Sequence, residues 1–112
     1  MEGRSYPPPM AIDDLTVTDH ADARRFELRA GDEVVGWIDY LPAGASVIFS
    51  HTEIAPAHEG QGMGSVLVRH ALELMRERGT TVIPTCPFTA AYLQRHPDYA
   101  DVVDPSLRAR FA

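Results

Sequence analysis

The sequence contains no lysine and no asparagine, and it has a single cysteine, Cys86. The absence of lysine excludes a Walker phosphate loop, because that loop needs a lysine after its last glycine. One cysteine excludes an internal disulfide framework and is typical of a reducing compartment. Long apolar runs and a basic, apolar leader are also missing, so we expect a cytoplasmic protein that does not enter a membrane.

Positive charge is scarce as well. The ten basic residues, all arginine, are outnumbered by 16 acidic ones, and the net charge is −6. A protein that neutralises nucleic-acid phosphates needs a basic face, so no nucleic-acid partner is expected. The histidines show no close ligand spacing, and with one cysteine no metal site is predicted. The length of 112 residues fits one domain with one hydrophobic core.

The most informative stretch is the glycine-rich segment 59–65, together with the residues on either side of it. Residues 46–54 are typical of a strand. After the segment, apolar residues recur at helical spacing as far as Gly79, a natural helix stop. In such an order of strand, turn and helix, unpaired amides and the positive end of the helix dipole converge on one point. This predicts an anion site whose guest is a phosphate group.

The rest of the chain predicts a small sheet with two helices, hence a mixed α+β class. An antiparallel meander is expected from strands at 15–18, 25–30, 34–41 and 46–54. After a helix of about 64–78, the strand 81–85 should lie parallel to 46–54. A second helix should begin at Pro87 and end at His96-Pro97. We expect this domain to span 13–104, between a flexible tail at 1–12 and a loosely held one at 105–112.

Pro84 lies inside the predicted strand 81–85 and has no N–H group to donate to a ladder. Two interpretations stay open. In the first, strands 46–54 and 81–85 part toward their carboxyl ends and leave a slot between them. In the second, 81–85 is an edge strand that tolerates a proline.

The order of strand, E-G-Q-G-M-G and long helix resembles the signature segment of the GNAT superfamily, the acyl-coenzyme A N-acyltransferases. Gly62 and Gly64 match the two small positions of that pattern, and Glu59 replaces the usual arginine or glutamine. The segments H-T-E-I, C-P-F, A-A-Y and R-H-P-D-Y resemble in addition a small single-domain subgroup of the superfamily. A glycine-rich loop in some other nucleotide-binding α/β domain is the alternative.

The resemblance implies a GNAT-like fold, in which the meander joins a β-α-β crossover with splayed parallel strands, and an enzyme that uses acetyl-CoA. The coenzyme A contacts it implies come from Ile54, Glu59, Gly60, Gln61, Gly62, Met63, Gly64 and Ser65. The two helices that wall the acceptor site in the superfamily are missing, and residues 20–23 stand in their place. We therefore expect an open groove for an unidentified amine. The alternative to an open groove is a groove that a second copy of the chain completes in a homodimer.

Acyl transfer from a thioester to an amine needs a base for the amine and an acid for the departing thiolate. Strand alternation predicts that Val47, Phe49, His51 and Glu53 share one face. The resemblance implies a general base at Glu53, near the end of the strand, and His51 lies two residues away. The alternatives are a solvated carboxylate for Glu53 and a core histidine for His51.

Tyr92 and Cys86 complete the candidate catalytic residues. The resemblance implies that Tyr92 protonates the thiolate, and core packing beside Phe88 is the alternative. Cys86 lies near the N-cap of the second helix, where the pKa of a thiol falls. Four roles stay open for Cys86: it takes the acetyl group, it serves as an acid, it lines the slot between the strands, or it is an inert buried residue. We expect direct transfer to the amine; the alternative function is a non-catalytic module that binds acyl-CoA or a partner protein.

Overall fold

The computed structural model describes residues 15–111, so the predicted flexible tail at 1–12 lies outside the described residues. Within this range the chain forms five strands and two α-helices, joined by turns and short 3-10 helices. The elements are β1 (Leu15–His20), β2 (Arg25–Ala30), β3 (Glu33–Ala43), β4 (Ser46–Ile54), α1 (Met63–Arg78), β5 (Thr81–Pro84) and α2 (Pro87–Arg95). Neither α-helix in this range is long and apolar enough to cross a membrane.

The five strands form one sheet in the order β1-β2-β3-β4-β5. The first four strands pair antiparallel, and β4 pairs parallel with β5, so α1 is the crossover between them. This confirms the predicted mixed fold. The predicted turn at 42–45 is shorter than expected, because Pro42 and Ala43 still pair with β4 and only Gly44 and Ala45 connect the strands.

The core lies between α1 and one face of the sheet. The predicted apolar stripe of α1 is buried against sheet residues such as Phe26, Leu28 and Ile38. Gly79 ends α1 in the left-handed conformation, with φ of 66°, as its position predicted. This packing holds the amino end of α1 beside the carboxyl end of β4.

A β-bulge in β4 changes the predicted strand faces. Phe49 and His51 pair with consecutive residues of β3, so Ser50 between them is an extra residue. Phe49 is fully buried and Val47 packs against the core, whereas His51 and Glu53 are about half exposed. The prediction that all four share one face was wrong, because the extra residue shifts the alternation between Phe49 and His51.

Pairing between β4 and β5 ends where Phe49 meets Pro84. Beyond that point β4 continues through residues 50–54 with no β5 residue in its register, and Cys86 N–H donates to the Phe49 carbonyl at 3.0 Å. β5 is also the last strand of the sheet. Both interpretations of Pro84 therefore describe part of the structure: β5 is an edge strand, and it parts from β4 at its carboxyl end.

The C-terminal segment is held against the domain, so the prediction of a loosely held tail was wrong for residues 105–111. Phe111 is buried and belongs to the hydrophobic core. The Arg108 guanidinium donates to the backbone carbonyls of Ala100 and Val103, at 3.0 Å each. An apolar anchor and charge-assisted hydrogen bonds together fix this segment.

Candidate active site

A cavity of about 430 Å³ lies where the carboxyl end of β4 meets the amino end of α1. Its volume falls within the ~300–1,000 Å³ of ordinary ligand pockets. It is lined by 52–54 of β4, by 58–60 and Gly62 of the connection, by 63–65 of α1 and by Phe88 of α2. All of the predicted coenzyme A residues except Gln61 therefore line one space.

Two glycines shape the loop that enters α1. Gly60 and Gly62 have φ of 80° and 75°, a left-handed conformation that residues with a Cβ atom rarely adopt. Gly62 is the N-cap of α1 and offers no side chain to the first-turn amides. The first-turn amides thus lack a side-chain cap, and the anion site that the sequence predicts at this helix end stays a prediction.

Gly64 is needed for a different reason, the packing of Phe88. It lies in the first turn of α1, where an added Cβ atom would approach Phe88 Cζ to 2.6 Å. Phe88 is 41% exposed and forms part of the cavity wall. Phe88 was not among the predicted site residues, although it lies in the C-P-F segment that carries the resemblance.

His51 and Glu53 form a hydrogen-bonded pair at the end of β4, with His51 Nε2 and Glu53 Oε1 2.8 Å apart. Their side chains are 57% and 44% exposed, and Glu53 also lines the cavity. The hydrogen bond to Glu53 raises the pKa of His51, and the nearby Asp39 carboxylate acts in the same direction. The pair is therefore a proton acceptor that both solvent and cavity can reach.

Cys86 is buried at the N-cap of α2, as predicted, and its thiol donates to Thr52 Oγ1 at 3.4 Å. Thr52 lines the cavity, so Cys86 lies one hydrogen bond behind the wall. Burial alone raises the pKa of the thiol. Once the sulfur is a thiolate it accepts from the Thr52 hydroxyl and from the Thr89 and Phe88 amides, with a smaller effect of the nearby Thr89 hydroxyl, and these groups outweigh burial and lower that pKa. The Thr89 hydroxyl is itself buried, with no hydrogen-bond partner in the described part of the chain.

Tyr92 is not brought to the cavity. Its ring is buried in the core, stacked on His96 with centroids 4.1 Å apart and tilted against Tyr99. Burial raises the pKa of its hydroxyl, which makes it a weaker acid. The structure thus favours core packing over the acid role that the resemblance implied.

One histidine in the cavity wall, His58, was not among the predicted site residues. It is 7% exposed, and its Nε2 lies 2.7 Å from Glu33 Oε2 at the start of β3. The two residues are 25 positions apart, so no local pattern indicates their contact.

Comparison with known proteins now identifies the family. Residues 25–102 match the family model of the GCN5-related N-acetyl-transferases, and this span covers more than half of the chain. The chain therefore belongs to the GCN5-related N-acetyltransferase (GNAT) family. Proteins of this family generally use acetyl-CoA.

A curated relative gives a more limited similarity. Streptothricin acetyltransferase of Streptomyces lavendulae is 37% identical over 62 residues, which make up 53% of this chain and 33% of that protein. The matched part thus spans about a third of the length of the relative.

Proposed function

We propose that this chain is an N-acetyltransferase that moves the acetyl group of acetyl-CoA directly to an amine. The observation that carries this proposal is that one cavity is bordered both by the uncapped amino end of α1 and by Glu53. An anion-binding turn and a proton acceptor thus border the same space. Family membership supports the same reaction.

The cavity fits coenzyme A at two places. The pyrophosphate accepts hydrogen bonds from backbone amides of the segment 60–65, whose first turn lacks a side-chain cap. The pantetheine arm runs along β4 past Phe49, where β5 no longer pairs, and the Ile54 backbone binds one of its amides. Phe88 and Met63 supply apolar wall to the same cavity.

Direct transfer assigns a role to the His51–Glu53 pair. The amine nitrogen attacks the thioester carbonyl, its proton passes to this pair, and the carbon–sulfur bond breaks to release the thiolate. The raised pKa of His51 suits it to hold the proton that the amine gives up. Cys86 has no covalent role in this scheme.

The geometry of the site indicates the identity of the amine acceptor less directly than it indicates the reaction. His51 and Glu53 are reached from the solvent, and the half-buried side chains of Asp39 and Trp37 lie opposite them in β3. The Arg25 guanidinium lies 4.5 Å over the Trp37 ring and 3.9 Å from the Asp39 carboxylate, so this open surface does not by itself select a cationic amine. Because the relative from Streptomyces lavendulae is a streptothricin acetyltransferase, streptothricin is one acceptor to include in a screen.

The proposal is tested by coenzyme A release from acetyl-CoA with a panel of amines. We expect turnover by the wild type and a loss of ~10²-fold in kcat for Glu53→Gln, the usual scale for a lost general base. Glu77→Gln on the exposed side of α1 is the matched control and should keep its rate. Acetyl-CoA binding without turnover on any amine would instead identify a non-catalytic binding module. An acetyl group on Cys86, formed without amine at a competent rate, would replace direct transfer by a covalent route.

A further inference from the structure

We infer that His58 supplies the positive charge that a phosphate group needs in this cavity, with Glu33 holding its ring. The inference rests on the proposed function in one respect, that coenzyme A is the ligand of the cavity. It adds a phosphate-binding side chain to a loop that otherwise offers backbone amides.

The charge of the cavity wall requires such a residue. Among residues 15–111, the lining includes the carboxylates of Glu53 and Glu59 and no arginine, and the sequence contains no lysine. Carboxylates repel a phosphate group, and the repulsion grows as water is excluded. Within the described part of the chain, His58 is the lining side chain whose nitrogen can donate to a phosphate oxygen.

The position of His58 suits the role. It ends the 3-10 turn Pro56–His58, directly before the glycine segment, and its ring is packed into the protein. Nε2 faces Glu33, whereas Nδ1 has no hydrogen-bond partner among residues 15–111. An imidazolium donates from both nitrogens, so one N–H stays on Glu33 and the other is left for a phosphate oxygen.

Glu33 is the positioning residue of the pair. A carboxylate on one ring nitrogen fixes the orientation of an imidazole. The Glu33 side chain is 60% exposed and keeps contact with water. The charged groups that face His58 are thus Glu33 from β3 and the cavity carboxylates of Glu53 and Glu59.

A purely structural role is the competing explanation, in which the pair only ties the β4–α1 connection to β3. The ligand separates the two explanations. Pantetheine carries the arm of coenzyme A without its phosphates, so loss of a phosphate contact leaves its binding unchanged. A distorted loop weakens both ligands.

The experiment is calorimetric titration of coenzyme A and of pantetheine into the wild type, His58→Gln and Glu33→Gln. We expect His58→Gln to raise the Kd of coenzyme A ~10-fold or more, the scale of a charged hydrogen bond, and to leave that of pantetheine within about twofold. Glu33→Gln should raise the Kd of coenzyme A ~3-fold, because the ring keeps its charge but loses its orientation. His20→Gln is the matched control, since it breaks a histidine–carboxylate contact with Glu27 away from the cavity.

Unchanged coenzyme A affinity in His58→Gln, or equal losses for coenzyme A and pantetheine, would overturn the inference. If His58→Gln does not fold, equal coenzyme A affinity of Glu33→Gln and the wild type overturns it. A wild type that binds no coenzyme A would refute the proposed function first, and this inference with it.

Discussion

The thiol of Cys86 donates to the Thr52 hydroxyl at the first turn of α2, and the Thr89 hydroxyl lies near enough to influence its pKa. Thr89 is completely buried, and its hydroxyl has no hydrogen-bond partner within residues 15–111. A buried hydroxyl without a partner is costly, and a thiolate at Cys86 is an acceptor that such a hydroxyl lacks. These donors explain why the pKa of a buried thiol is lowered.

Removing either hydroxyl should therefore raise the pKa of Cys86. Thr52→Val and Thr89→Val keep the side-chain shape and lose the donor, so less thiolate is present at neutral pH. We expect alkylation by iodoacetamide at pH 7 to slow by ~3- to 10-fold in each variant, and the pH–rate profile to move to higher pH. Thr85→Val is the control, because its hydroxyl donates to the Phe49 carbonyl instead. Identical profiles in all four proteins would contradict this account.

The contrast between Tyr92 and Glu53 gives a second prediction for single residues. Tyr92 is packed on His96 in the core, so Tyr92→Phe removes a hydroxyl that does not reach the cavity. We expect its kcat to stay within ~3-fold of the wild type, well short of the loss expected for Glu53→Gln. Steady-state kinetics with a saturating amine checks this. A loss of ~10²-fold in Tyr92→Phe would restore the acid role that the resemblance implied.

At the scale of elements, the first turns of α1 and α2 meet at Gly64 and Phe88. An alanine at position 64 is a better helix former than glycine by ~1 kcal/mol, yet its Cβ atom would meet the Phe88 ring at 2.6 Å. We expect Gly64→Ala to destabilise the wild type by ~1–2 kcal/mol through overpacking. In a Phe88→Ala background the same change should stabilise the fold by up to ~1 kcal/mol.

Urea unfolding of the four proteins of this double-mutant cycle measures the effect. A change of sign between the two backgrounds shows that Gly64 is required by Phe88. The same destabilisation in both backgrounds would show that Phe88 has no part in the requirement.

The C-terminal segment gives a second prediction at this scale. Phe111 lies in the core, so Phe111→Ala should lower the free energy of unfolding by ~3 kcal/mol. The exposed Arg110→Ala next to it serves as the control, with an expected effect below ~0.5 kcal/mol. Urea unfolding measures both. Equal stability of Phe111→Ala and the wild type would support the loosely held tail that the sequence suggested.

The elements differ in how well local sequence predicts them. The α1 stripe and its glycine stop are local patterns, and they placed the helix to within one residue of Met63–Arg78. The bulge at Ser50 was not predicted, because the prediction assumed one unbroken alternation along β4, whereas the extra residue moves the following side chains to the other face. Phe111 and the His58–Glu33 pair depend on contacts between distant segments, which a single sequence does not display.

The same difference holds for the candidate site. The glycine segment was located by its own composition, since few other structures need glycine at Gly60 and Gly62. Residues were assigned to catalysis by resemblance, and the structure grouped Glu53, His51 and Cys86 near the cavity while leaving Tyr92 in the core. A sequence resemblance predicts which position along the chain corresponds to a functional residue, but it does not predict where the side chain at that position points.

Across the whole molecule, an acidic protein carries the cavity that we propose to bind an anionic ligand. The net charge of −6 opposes such a ligand at long range, and the carboxylates of Glu53 and Glu59 oppose it inside the cavity. Binding therefore depends on short-range donors, namely the amides at the start of α1 and the ring of His58. The central claim is that these donors make the cavity a coenzyme A site.

Thermal unfolding with increasing acetyl-CoA tests that claim most directly, on the wild type, Gly62→Val and Gly44→Val. Both glycines have positive φ and open space around the missing Cβ atom, so both valines strain the backbone, but only Gly62 borders the cavity. We predict a saturable rise in Tm for the wild type and for Gly44→Val, little or no rise for Gly62→Val, and a smaller effect of NAD throughout. No rise in the wild type, or an equal rise with NAD, would contradict the account.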